Sequence, residues 1–198
     1  MNEKTNSLSE KVVFITGAAK GLGRALAIKC ADYGGKLILC DKEMRDLELV
    51  RDEIIEKYNH NSLLLPVNFE GATIDDYLSI VSRVEEKYSK INSLILNAAS
   101  LGELAPLAHY DPLVWARVFQ VNIHSAFLLL KYCDSILEKE KSCNIIFTLA
   151  PEVQTVKPFW GAYAVSKKAL LALMELTAKE MERYEQVKVN GIIPSPMR

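Results

Sequence analysis

Tyr163 and Lys167 lie four residues apart in Trp160-Gly161-Ala162-Tyr163-Ala164-Val165-Ser166-Lys167. On a helix that spacing is about one turn, so the phenol and the ammonium share a face. A cation beside a phenol favours phenolate and lowers a pKa that starts near about 10. Such a group can exchange a proton with a hydroxyl or carbonyl substrate. The pair carries little by itself, because this spacing arises often on surfaces. It gains weight from what precedes it in the chain.

Near the N-terminus runs Thr16-Gly17-Ala18-Ala19-Lys20-Gly21-Leu22-Gly23. The segment follows an apolar strand and opens a helix. Gly17 permits a sharp turn; Gly21 and Gly23 let the backbone approach a pyrophosphate and let the helix pack closely on the sheet. The free amides and dipole of the helix N-terminus favour the phosphates. The spacing is Gly-x-x-x-Gly-x-Gly rather than the general Gly-x-Gly-x-x-Gly. Asp41 ends the next strand, 18 residues after Gly23. A carboxylate there accepts hydrogen bonds from a ribose hydroxyl and repels a 2′-phosphate, which argues for NAD. Lys20 in the turn and Lys42 after the acid could each help hold a 2′-phosphate, so NADP stays open.

The elements that must position these groups alternate. Strands are expected at Lys11 to Thr16, Lys36 to Asp41, Ser62 to Val67, Ser93 to Asn97, Asn144 to Leu149 and Val187 to Ile193. Helices are expected at Leu22 to Tyr33, Glu43 to Tyr58, Ile74 to Lys90, Pro112 to about Leu137 and Trp160 to Arg183. Short continuous apolar strands between amphipathic helices describe an α/β fold with a doubly wound parallel sheet of six strands, covered on both faces.

The 198 residues suit one domain, and 49% apolar content is ordinary for it. A net charge of −1 argues against a nucleic-acid partner held by bulk electrostatics. No apolar run approaches the ~20 residues of a membrane span, and no membrane partner is expected. The first ten residues are polar and lack the apolar stretch of a secretory signal. Cys30, Cys40, Cys133 and Cys143 form no Cys-x-x-Cys pair and sit in apolar segments. Buried thiols in a reducing cytoplasm are expected. His60, His109 and His124 show no metal-ligand spacing, so no metal site is expected.

Together these residues resemble the short-chain dehydrogenase/reductase family, single-domain branch, from about residue 10 onward. The family's Thr-Gly-x-x-x-Gly-x-Gly is matched by Thr16, Gly17, Gly21 and Gly23; its Asn-Asn-Ala-Gly is met in part by Asn97-Ala98-Ala99-Ser100. Its helix asparagine resembles Asn122, its Tyr-x-x-x-Lys is Tyr163 and Lys167, and its Pro-Gly appears as Pro194-Ser195. The resemblance implies a Rossmann domain in which a hydride passes between nicotinamide and an alcohol or ketone. Tyr163 would be the acid/base. Lys167 would lower its pKa and hold the nicotinamide ribose, and Asn122 would anchor a proton-carrying water chain. The implied cofactor-binding set is Gly17, Ala19, Lys20, Gly21, Leu22, Gly23, Asp41, Asn68, Phe69, Asn97, Ala98, Ala99, Tyr163, Lys167 and Pro194. Asn68 stands where the family usually has Asp.

Two departures bear on turnover. The family's serine, thirteen residues before the tyrosine, is Ala150 here, and a methyl donates no hydrogen bond. Thr148 is the nearest hydroxyl, on the same strand face but about 6–7 Å away. Family members also continue past the sixth strand, whereas this chain ends at Arg198. A pocket without that segment would lack a wall and a lid, and the sixth strand would be an open apolar edge. These departures leave a second reading, a dinucleotide-binding protein with little or no turnover acting as sensor or assembly partner. A third reading, a nucleotide-using methyltransferase, leaves Tyr163 and Lys167 idle. The helices from Pro112 and Trp160 carry broad apolar faces, including Val118, Phe127, Leu128, Leu170, Leu171, Leu173 and Met174. Core packing uses much of that surface. In the family these helices also build a dimer contact, which implies a homodimer or homotetramer. The charged stretch 138–141 is expected to be a solvated helix end.

Overall fold

A computed structural model describes residues 7–138 and 141–195. Residues 139 and 140 of the charged stretch and Pro196 after the sixth strand lie outside the described residues. The sheet strands are β1 (Val12–Thr16), β2 (Lys36–Asp41), β3 (Leu63–Pro66), β4 (Ser93–Leu96), β5 (Cys143–Thr148) and β6 (Val187–Ile192). The helices between them are α1 (Gly21–Asp32), α2 (Met44–Tyr58), α3 (Ile74–Tyr88), α4 (Pro112–Phe119), α5 (Ser125–Cys133) and α6 (Gly161–Met181). All strand pairs are parallel, in the order β3-β2-β1-β4-β5-β6.

Period-two alternation explains why the strands read as unbroken apolar runs. Phe14, Ile38, Cys40, Ile145 and Phe147 pack with α3, α5 and α6 on one face. Val13, Ile15, Leu37 and Leu39 pack with α1 and α2 on the other. Both faces of each central strand are covered, so neither can be polar. The strand order reverses between β1 and β4, so the carboxyl ends of these two strands open a crevice where ligands of such sheets bind. Among the described residues β6 pairs with β5 alone; Val187, Val189 and Ile192 are half-buried and Lys188, Asn190 and Gly191 exposed.

The helix expected from Pro112 to Leu137 is not uniform. It runs as α4, a π-helical turn over Gln120–His124, α5 and a 3₁₀ turn over Asp134–Ile136. By length and mean hydropathy Pro112–Ile136 passes for a membrane span, but Arg117, Lys131 and Asp134 interrupt it, so it is not a continuous apolar run. Val118, Ala126, Leu129 and Cys133 are buried in the fold, whereas Leu113 and Phe127 are exposed.

Cys40, Cys133 and Cys143 are buried and Cys30 is half-buried. Burial pushes the Cys133 thiol up to about 12. His109 and His124 are exposed and His60 is half-buried. Among the described residues no His, Cys, Asp and Glu cluster could hold a metal ion.

Candidate active site

The glycine turn is built for close approach. Gly17 and Gly21 have φ of 65° and 52°, where a side chain is strained. A Cβ on Gly23 would lie 1.9 Å from the Gly17 carbonyl oxygen, so only glycine lets α1 sit on the turn. Lys20, at the N-cap of α1, offers no side-chain cap. By contrast, α3 begins with a Thr73–Asp76 capping box and α4 with Asp111 accepting from the Leu113 N–H. The first amides of α1 are therefore left for an anion, and the residues present fit a dinucleotide pyrophosphate.

Polar side chains hold that turn from beneath. Thr16 Oγ1 accepts from the N–H groups of Asn97 (2.9 Å) and Ala98 (3.0 Å) and donates to the Ile95 carbonyl (3.2 Å). Asn97 Nδ2 donates to the carbonyls of Thr16 (3.0 Å) and Gly17 (3.2 Å). Its amide nitrogen is thus engaged in joining β4 to the turn. Asp41 Oδ2 accepts from the Ala19 N–H (3.1 Å) and Oδ1 from the Lys42 N–H (2.8 Å), so the acid also braces the loop. Lys20 reaches away to Asp46 (2.8 Å), and Lys42 lies 3.9 Å from Glu70.

Two hollows run along the carboxyl ends of the strands. The first, about 160 Å³, brings together Gly17, Asp41, Asn68, Phe69, Ala98 and Ala99. Phe69 is buried and stacks on Tyr77 at 6.0 Å, while Asn68 Oδ1 accepts from the Glu70 N–H (3.1 Å). The second, about 580 Å³, brings together Leu22, Asn97, Ala99, Tyr163, Lys167 and Pro194. Ala99 lines both, which makes them two ends of one cleft. Ala19, Lys20, Gly21, Gly23 and Asn122 line neither hollow.

Lys167 is only 2% exposed, and its Nζ donates to the Thr148 carbonyl at 2.8 Å. Burial lowers its pKa to about 8, against the raising pull of Glu152. Its Nζ lies 5.7 Å from the centroid of the Tyr163 ring. Tyr163 is shifted upward, first by burial and then by the Glu152 carboxylate. This is opposite to the expected lowering: burial disfavours the phenolate, and the Glu152 carboxylate disfavours it further. Ala150, at the serine position, is buried and extended, and offers only its methyl.

Asn122 is buried in the π-helical turn, where the Ser125 N–H reaches back five residues to the Gln120 carbonyl. Its Nδ2 donates to Ser166 Oγ (2.9 Å) and the Ser100 carbonyl (3.0 Å), and its Oδ1 accepts from the Ser100 N–H (2.7 Å). Ser166 Oγ in turn donates to the Tyr163 carbonyl (2.8 Å). Asn122 thereby locks the loop after β4 to the first turn of α6, with both ends of its amide engaged. Sequence reasoning passed over Ser166, although it lies inside the Tyr-Lys segment. It also passed over Glu152, whose burial has no local signal.

The Lys167 environment has a measurable consequence. Between pH 8 and about 10, the folded chain carries less of this proton than the unfolded chain, whose lysine titrates near 10.5. The unfolded state binds more protons, so stability rises with pH over that window, by at most about 3 kcal/mol. Tyr163 acts oppositely above about 10, where the unfolded phenol ionises first. The buried Cys40 and Cys133 thiols, which ionise first in the unfolded chain, pull the other way above pH 9, so the readout is a difference: urea unfolding at pH 7.5, 9 and 10 should show the stability of the natural chain rising relative to that of Lys167→Met. Equal slopes in both chains would refute the burial argument.

Comparison with known proteins agrees with this geometry. The family model for short chain dehydrogenase matches residues 11–198. The uncharacterized oxidoreductase YciK of Escherichia coli K12 is 28% identical over 195 residues, spanning 98% of this chain and 77% of that protein. The solved short chain dehydrogenase of Shigella flexneri superposes with a TM-score of 0.93 at 27% identity, covering 98% of this chain and 75% of that one. A structure from Escherichia coli CFT073, described as a short chain dehydrogenase complexed with NADPH, superposes with a TM-score of 0.91 at 29% identity, covering 96% and 78%. A glycine turn under an uncapped helix, a cleft across the strand-order reversal and a Tyr-Lys pair at its end thus converge, and the chain belongs to the short chain dehydrogenase family.

Proposed function

We propose that this chain is an NAD(P)-dependent oxidoreductase that reduces a ketone or oxidises the corresponding alcohol, with Tyr163 as acid/base. The observation that carries this reading is the second hollow, where Tyr163 and Lys167 face the end of a cleft that begins at the glycine turn. When bound, the nicotinamide supplies or accepts the hydride. The chain supplies the proton and the positions. Tyr163, held protonated by burial, is suited to donate to a developing alkoxide at neutral pH. Lys167, buried against the Thr148 carbonyl, presents its charge beneath the ring. Asn122 fixes the start of α6 through Ser166 and is a positioning residue.

Asp41 favours NAD, and both lysines that could take a 2′-phosphate are held by acids. The Escherichia coli neighbour was solved with NADPH, which supports NADP as well. The groove between α5 and α6, with Phe127, Leu130, Leu173 and Leu176 along it, supports a homodimer or homotetramer; Val118 and Leu170 are instead buried in the core. The test is hydride transfer itself: NADPH or NADH deuterated at C4, incubated with a panel of ketones, should yield deuterated alcohol. A chain that binds the dinucleotide but transfers no label to any ketone would favour the binding-protein reading instead.

A further inference from the structure

Glu152 is a buried acid that the mechanism above does not use. It follows β5 in a 3₁₀ turn, Pro151–Val153, and is only 3% exposed. It lines the same 580 Å³ hollow as Tyr163 and Lys167. Its carboxylate meets Lys157 at 3.4 Å, longer than the 2.7–2.9 Å of a strong charge-assisted bond. Lys157 is half out in solvent and extends over the Trp160 ring, with its Nζ 5.0 Å from the centroid. Trp160 in turn packs on Tyr163 at 5.8 Å. Glu152, Lys157, Trp160 and Tyr163 therefore form one continuous wall.

A carboxylate has about four acceptor sites, and one long ion pair leaves capacity for a donor. An apolar substrate would cover this charge without satisfying it, whereas a substrate hydroxyl would pair with it. A substrate ammonium is disfavoured, because the hollow already holds Lys157 and Lys167 against a single acid. Resting on the hydride-transfer reading of this site, we propose that Glu152 is a specificity residue. It selects ketones that carry a hydroxyl beside the carbonyl, the hydroxyl donating to its carboxylate while Tyr163 serves the carbonyl oxygen.

The test compares cyclohexanone with 2-hydroxycyclohexanone as oxidants of NADPH. The ratio of their kcat/KM values is the readout, since any effect of Glu152 on Tyr163 or Lys167, or on loop structure, acts on both substrates and cancels. The hydroxy ketone should be favoured by about 10–100-fold, the worth of a hydrogen bond to a charged group. Glu152→Ala should abolish the preference, and Glu152→Gln, whose amide oxygen still accepts, should keep part of it. If Glu152→Ala fails to fold, the partial loss in Glu152→Gln decides. A ratio near one in the natural chain, or a preference that survives both variants, overturns the proposal and leaves the oxidoreductase reading intact. If NADPH binds but neither ketone is reduced, the deuterium-transfer panel decides the oxidoreductase reading separately. The same ratio is then taken from ketone affinities for the Tyr163→Phe chain saturated with NADPH, followed by nicotinamide fluorescence, and is judged by the same criterion.

Discussion

Ketone reduction should fall by about 10²–10⁴-fold when Tyr163 is replaced by Phe, the usual contribution of a positioned general acid. The substitution removes only the hydroxyl. The ring keeps its contact with Trp160 at 5.8 Å and its place 5.7 Å from the Lys167 ammonium, so the wall of the cleft stays in position. Dinucleotide binding should persist, because the glycine turn and the first hollow are untouched. Single-turnover oxidation of NADPH, followed by absorbance, separates the two effects. A Tyr163→Phe chain that reduces ketones at the natural rate would mean that another group delivers the proton. Glu152 and Lys167 are the titratable neighbours to test next.

The second large effect is a gain. Ala150→Ser should raise kcat by about 10²–10³-fold, the cost measured elsewhere for removing one preorganised donor. The backbone at Ala150 is extended (φ −146°, ψ 159°) and buried, so serine is sterically ordinary there, and its hydroxyl would enter the hollow that Tyr163 lines. KM should change less than kcat, since the bond strengthens as charge develops on the substrate oxygen. An unchanged kcat would mean that a donor is already supplied. Thr148 is the first candidate, because its Oγ1 is buried without a hydrogen-bond partner among the described residues.

The fold was legible because the sheet is covered on both faces. Each central strand then shows as a short apolar run, whereas β6 carries Lys188 and Asn190; the expected ends of all six fall within about two residues of the observed ones. The glycine turn was legible for a similar reason: Gly17 and Gly23 answer steric demands that no other residue meets. The rest depends on contacts distant in sequence. Nothing in Gln120-Val121-Asn122-Ile123-His124 announces a π-helical turn, since the bond pattern is set by what Asn122 must reach, 22 residues back to Ser100 and 44 forward to Ser166. Glu152, after a proline in a loop, looks like a solvated charge until α6 and β5 enclose it. The direction of the Tyr163 shift was missed for the same reason. Spacing shows that a lysine is near, but only packing shows how little water either group keeps.

On this reading the two hollows, both lined by Ala99, are the ends of one dinucleotide cleft. Titration of the purified chain with NADPH and with NADH, followed by nicotinamide fluorescence, tests it most directly. Saturable binding at one site per chain is expected for at least one of them. Preference for NADH would assign the choice to Asp41, and preference for NADPH to Lys20 and Lys42. Failure of both to saturate at millimolar concentration would contradict the cleft and, with it, the oxidoreductase reading.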